Sequence, residues 1–280
     1  MELQGRREPD DSHEPMSYAG PPPQAPPLSD RLKKAFGPVV AVFAGLAKFG
    51  AIVFKIKALA VLITMGASIA AYALFYGWQF AVGFVLLIFV HEMGHVVALR
   101  ARGIKAGAPI FLPFLGAFVS MKSAPRSAYE EAESALAGPV VGTVGAFGVA
   151  YAGQALDSDL LRALALTGFL LNLFNLLPAL PLDGGRVAGA LNPKLWFLGL
   201  VGLLGYEFYR PSPVVPVILL LGGYELYRRF RGRDSAASRQ YFALTREQRL
   251  RIGAAYVGLI LVLVYAVHAN QLPDTSPGLR

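Results

Sequence analysis

The chain has 280 residues, 55% of them apolar and 16% charged, with a formal net charge of +8. A soluble domain carries roughly 25% charged residues, so this composition argues for a membrane protein. Its basic residues cluster at the ends of apolar runs, which excludes a nucleic-acid footprint and makes the lipid bilayer the expected surrounding. Cysteine is absent, which excludes disulfides and thiolate metal sites and leaves His, Asp and Glu as ligands.

Residues Met1 to Asp30 are rich in Pro, Ser and acid, and they include Pro21-Pro22-Pro23. Too little apolar surface is present there to fold, so a disordered cytoplasmic tail is expected over 1–35. The same stretch lacks an apolar h-region, so no cleavable signal peptide is expected. The run Phe36 to Lys57 is interrupted by Lys48, Lys55 and Lys57. Those lysines favour an amphipathic helix lying in the interface over a spanning one.

Apolar windows approaching 20 residues then give spanning candidates: Leu59 to Leu74, Phe80 to Leu99, Ala132 to Tyr151 and Leu160 to Leu177. Two shorter runs, Leu195 to Tyr209 and Val214 to Tyr227, flank Pro211, Pro213 and Pro216 and read as a helical pair. A last helix is expected over Ile252 to Val267. The fold class expected is an all-α polytopic membrane protein. Between the second and third runs, Ala108 to Met121 is apolar but broken by Pro and Gly, and reads equally as a short re-entrant hairpin or an interfacial loop. As a hairpin it would offer an open strand edge to an unwound peptide.

Loop charges set an orientation. The turn at Gly77 is uncharged and Gln154 to Asp159 is acidic, so both belong outside. The basic segments Arg100–Arg126, Arg186–Lys194 and Arg228–Arg251 belong inside. Strict alternation asks for seven crossings, two of them short; half insertion of a short run lowers the count, so about six are expected. The N-terminus is then cytoplasmic, in a multi-pass protein of the cell membrane.

The second run contains His91-Glu92-Met93-Gly94-His95. Positions i and i+4 share one helix face, so both imidazoles reach a single ion. The carboxylate between them points about 100° aside, where it can deprotonate a water at that ion. Two imidazoles and a carboxylate are costly to bury in hydrocarbon, and an intramembrane cluster of them is a functional site by default. Tetrahedral Zn2+ with an open position wants a third protein ligand. The best candidate is Asp183, which follows the fourth run. Both motifs then end on the cytoplasmic side, with His91 about 16 Å along its helix from Phe80. Pro178 and Pro181 break the helix before Asp183, and Gly184-Gly185 are expected to form a tight turn.

His91-Glu92-Met93-Gly94-His95 together with Asn175-x-x-Pro178-x-x-x-Leu182-Asp183-Gly184 resembles the site-2 protease family of intramembrane zinc metalloproteases, over roughly Leu59 to Leu191. The resemblance implies a three-helix catalytic core, zinc on His91, His95 and Asp183, and Glu92 as general base. Its implied substrates are membrane-spanning segments of other proteins, such as anti-sigma factors or transcription-factor precursors. No insertion long enough for a PDZ domain follows the active-site helix, which resembles the compact bacterial branch. One departure is that several relatives carry an Asn after Gly138-Pro139, where this chain has Val140-Val141-Gly142. The organisation expected is thus a metalloprotease core over 58–191, accessory transmembrane helices over 192–270 and a tail over 271–280.

Asn172 or Asn175 would hydrogen-bond the substrate backbone or the developing oxyanion. Gly138, Gly142 and Ala146 recur every fourth residue and read as a stripe for close helix packing. Two rivals stand beside this reading. A membrane zinc peptidase of another type would take Glu207 or Glu225 as its third ligand. A membrane metal-binding protein or transporter without proteolysis would need polar groups spaced along a pathway, and the sequence offers one cluster at one depth.

Overall fold

The computed structural model describes residues 58–231 and 235–271. The expected tail over 1–35, the interfacial helix over 36–57 and all of the last segment but Gln271 lie outside them. Each of the seven apolar runs is helical. They form α1 (Ala58–Tyr76), α2 (Trp78–Ala101), α3 (Ala128–Ala155), α4 (Asp159–Asn175), α6 (Leu195–Tyr209), α7 (Val214–Arg231) and α9 (Arg246–Ala269). Two short helices, α5 (Asp183–Leu191) and α8 (Ala236–Tyr241), fall between them. Among the described residues α1, α2, α3 and α9 are long and apolar enough to cross a membrane. α4 has 17 residues and α6 has 15, at or below the short end of that range.

Local signals explain the boundaries. The Ser127 hydroxyl accepts the Glu130 N–H at 3.3 Å to open α3, and Ser158 does the same for Leu161 at 3.4 Å to open α4. At the start of α9, Thr245 and Gln248 close a reciprocal capping box. Gly77 ends α1 at φ +80° and lets the chain reverse directly into α2.

Residues Ala106–Leu112 and Gly116–Met121 form strands β1 and β2, paired antiparallel with Leu112 opposite Gly116 and Ala106 opposite Met121. The segment is therefore a β-hairpin. Phe114 at its tip stands edge-on to Tyr72 and Phe75 of α1, with centroids 5.4 and 5.7 Å apart. That contact pins the hairpin against the first helix.

α3 runs through the middle of the fold. Its small residues Ala132, Ala135 and Ala146 are buried with Ala165 and Phe169 of α4 and Tyr256 and Leu263 of α9. The Tyr256 hydroxyl donates to the Leu176 carbonyl at 2.5 Å, tying α9 to the end of α4. The segment expected as a tight turn at Gly184-Gly185 is instead the first turn of α5. Those glycines serve close approach: a Cβ at Gly184 would collide with the Leu176 and Leu177 carbonyls, and one at Gly185 with Ala179. α5 thus lies directly on the backbone of the loop that leads into it.

At the N-terminal end of α3, buried Glu131 accepts two bonds from Arg229 of α7, at 2.7 and 3.3 Å, and one from the Tyr241 hydroxyl of α8 at 2.7 Å. Arg229 also pairs with Glu225 at 3.1 Å and lies over the Trp196 ring of α6. Burial and the adjacent Glu131 carboxylate push the Tyr241 phenol up. One carboxylate therefore holds three elements together, with both of its oxygens hydrogen-bonded.

Candidate metal centre

The α-helical period places His91 and His95 on one face of α2, and α5 brings Asp183 to it. Three atoms converge: His91 Nε2, His95 Nε2 and Asp183 Oδ2, each 3.2 Å from the other two. A tetrahedral zinc with nitrogen and oxygen ligands at ~2.0–2.1 Å has ligand–ligand edges of about 3.3 Å. The triangle therefore has the size of one face of a zinc site.

The hydrogen bonds behind the imidazoles say what those atoms carry. His91 Nδ1 lies 2.8 Å from Asn172 Oδ1, while Asn172 Nδ2 donates to the Gly168 carbonyl at 2.7 Å. The amide orientation is thereby assigned, and His91 Nδ1 is the donor. His95 Nδ1 donates to the Ser134 carbonyl at 2.8 Å. In the neutral imidazoles both Nε2 atoms then hold lone pairs, and Asp183 adds an anionic oxygen. Three such atoms at 3.2 Å repel one another unless a proton or a metal ion sits among them, and the arrangement is that of a metal-ligating shell supported from behind. Among the described residues, His91, His95 and Asp183 are the one group of such side chains close enough to share an ion.

Glycines make the room. A Cβ at Gly138 of α3 would strike the His95 ring, one at Gly142 would strike the Asn172 amide, and one at Gly94 would strike the Ala137 carbonyl. The stripe read as packing alone therefore also makes room for His95 of the triangle and for Asn172 behind His91.

A cavity of about 430 Å³ opens beside the triangle, with His91, Glu92, His95 and Asp183 on its wall. Glu92 is 6% exposed, so its carboxylate is enclosed but reachable from the cavity. Consecutive β2 residues, Gly116 to Val119, line the same cavity. Among the described residues β2 pairs only with β1, so its other edge carries unpaired backbone groups. α7 closes the cavity with Val214, Val217, Ile218 and Leu221.

The other expected site residues divide. Asn175 lines the cavity and donates to the Leu171 carbonyl at 3.0 Å. Asn172, expected to touch substrate, is 1% exposed and sits behind His91. Being one helical turn from Gly168, it is spent on orienting that imidazole. Ser134 was not foreseen, because its contribution is a backbone carbonyl that no residue type announces. Glu207 accepts the Ser212 N–H at 3.1 Å and Glu225 pairs with Arg229, so neither joins the triangle. Val140 and Val141, which follow Gly138-Pro139, are exposed on α3.

Residues 79–159 match the model of Peptidase family M50. The zinc metalloprotease MJ0392 of Methanocaldococcus jannaschii is 31% identical over 137 residues, which cover 47% of this chain and 39% of that protein. "Putative zinc metalloprotease sll0528" of Synechocystis is 31% identical over 119 residues, covering 39% of this chain and 31% of its own length. "Putative zinc metalloprotease Rip3" of Mycobacterium tuberculosis is 32% identical over 120 residues, covering 39% of this chain and 30% of that protein. The matches thus span less than two fifths of the length of these curated relatives. Motif, donor geometry and relatives agree, and over residues 79–159 the chain is similar to peptidase family M50.

Proposed function

We propose that the protein is an intramembrane zinc metalloprotease that hydrolyses peptide bonds within or next to the transmembrane segments of other membrane proteins. The observation that carries this reading is that two corners of a zinc-sized donor triangle and an enclosed carboxylate share one span-length helix, and that all of them line one cavity with strand β2. A transporter would need ligands in sequence along a path, and the described residues hold one cluster.

When bound by His91, His95 and Asp183, zinc supplies Lewis acidity to the scissile carbonyl and to the attacking water. Glu92 takes the proton from that water and passes it to the leaving amine. Asn172 and the Ser134 carbonyl keep both imidazoles in the ligating tautomer throughout. Asn175, on the cavity wall, donates to or accepts from the substrate backbone. A transmembrane helix shields its peptide bonds, so the substrate unwinds and lies along the open edge of β2 by strand addition. Helix-weakening residues near the scissile bond therefore favour cleavage. Substrates of the implied kind include anti-sigma factors and transcription-factor precursors, with the active site nearer the cytoplasmic side.

Glu92→Gln tests the mechanism because it keeps the side-chain volume and removes the base. Zinc content should stay near that of the wild type, while turnover of a membrane-spanning substrate falls on the order of 10²-fold or more. Asp183→Ala should lose most of the zinc, since two imidazoles alone bind it weakly. Wild-type cleavage by Glu92→Gln would sink the proposed chemistry.

A further inference from the structure

Away from the metal centre, Arg100 in the last turn of α2, Lys105 just before β1 and Lys122 just after β2 line a single cleft of about 360 Å³. Its shape is fixed by backbone. Gly103 at φ +73° reverses the chain, a conformation that costs glycine little, and the Ile104 N–H then donates to the Leu99 carbonyl at 2.9 Å. The Lys122 N–H donates to the Lys105 carbonyl at 2.9 Å, so the rung that closes the base of the hairpin carries both lysines. Arg100, Lys105 and Lys122 are exposed, and none of their side chains is bonded to another described residue. The nearby acids are engaged elsewhere: Glu133 pairs with Arg102, and Glu130 accepts the Arg126 N–H.

Three cations lining one cleft repel one another, and an anion bound between them relieves that repulsion. The cleft stands at the end of a helix long and apolar enough to cross a membrane, which on the proposed function is the level of lipid headgroups. We propose that it is a binding site for a phosphate-bearing anion, drawn from an anionic phospholipid headgroup or from free phosphate. Two of its three cations flank the hairpin whose second strand walls the metal-centre cavity. An occupied cleft therefore ties the base of that wall to the end of α2, so the anion steadies the strand edge without touching the cavity.

The test uses the purified full chain in detergent. Retention of phosphatidylglycerol and of phosphatidylcholine is followed by native mass spectrometry, and inorganic phosphate binding by isothermal titration calorimetry. Phosphatidylglycerol should be retained in preference to phosphatidylcholine. Lys105→Gln/Lys122→Gln should weaken that retention more than tenfold, at roughly fivefold for each cation removed. Arg228→Gln/Arg231→Gln, at a separate basic cluster, should change it less than threefold. Loss of inorganic phosphate binding in Lys105→Gln/Lys122→Gln, with phosphatidylglycerol retention intact, assigns the cleft to free phosphate. The site is overturned if both ligands bind the lysine double variant as they bind the wild type, or if the arginine control falls equally.

Discussion

Asn172 accepts the Nδ1 proton of His91 at 2.8 Å and is itself held by its bond to the Gly168 carbonyl, so one amide on α4 decides which imidazole nitrogen of α2 stays free. The order of the ligand shell is therefore set from a neighbouring helix. A polar side chain that is 1% exposed among apolar ones finds its reason there.

Replacing Asn172 by Leu removes the acceptor, and His91 is then free to turn or to take the other tautomer. Zinc affinity measured by competition with a chelator should fall 10- to 100-fold. Asn172→Asp keeps an acceptor and should hold zinc far better than Asn172→Leu. Equal affinity in both variants would show that the amide has no part in orienting His91.

Gly138→Ala puts a methyl group where the His95 ring lies, whereas the equivalent space at Gly148, ten residues along the same helix, is open. Gly138→Ala should lose most bound zinc and Gly148→Ala none, with helix content by circular dichroism alike in the two.

Breaking the Glu131 cluster should cost stability. Arg229→Met leaves a buried carboxylate with only the Tyr241 hydroxyl, a loss on the order of 3 kcal/mol in unfolding free energy. Tyr241→Phe removes one neutral donor and should cost about 1 kcal/mol. Denaturant titrations in detergent, read by tryptophan fluorescence, would compare them. A smaller loss in Arg229→Met than in Tyr241→Phe would mean that the ion pair does not hold α7 to α3.

The proposed orientation is testable because the chain has no cysteine. Tyr76→Cys at the end of α1 and Leu156→Cys at the end of α3 are exposed positions and should react with an impermeant maleimide added outside intact cells. Ser123→Cys, between β2 and α3, should react only after the membrane is opened. The reverse pattern would turn the active-site side outward.

Much of this architecture could be read from periodicity alone. All seven apolar runs are helices, because a run of that length with basic ends has few other ways to satisfy its backbone in a membrane. His91 and His95 were legible because i, i+4 spacing fixes a shared face, and Asp183 because prolines isolated it at a helix end. What escaped detection depends on how separate helices meet. Nothing in the run around Asn172 distinguishes a side chain facing α2 from one facing a cavity. The part played by Gly138 exists only where α3 crosses α2. At Gly184-Gly185 the glycines suggested a turn, yet their use is to let a helix lie on a carbonyl-lined loop.

His91 stands about 20 Å from the Trp78 end of α2 and about 15 Å from its Ala101 end, at 1.5 Å per residue. On the proposed function, a substrate helix cut at this depth keeps about 13 residues of membrane-buried length on one side and about 10 on the other. Each piece falls short of the ~17 residues needed to cross the hydrocarbon. Neither product retains a segment that can cross, so a single hydrolysis turns one spanning helix into two stubs that can at most lie in the interface.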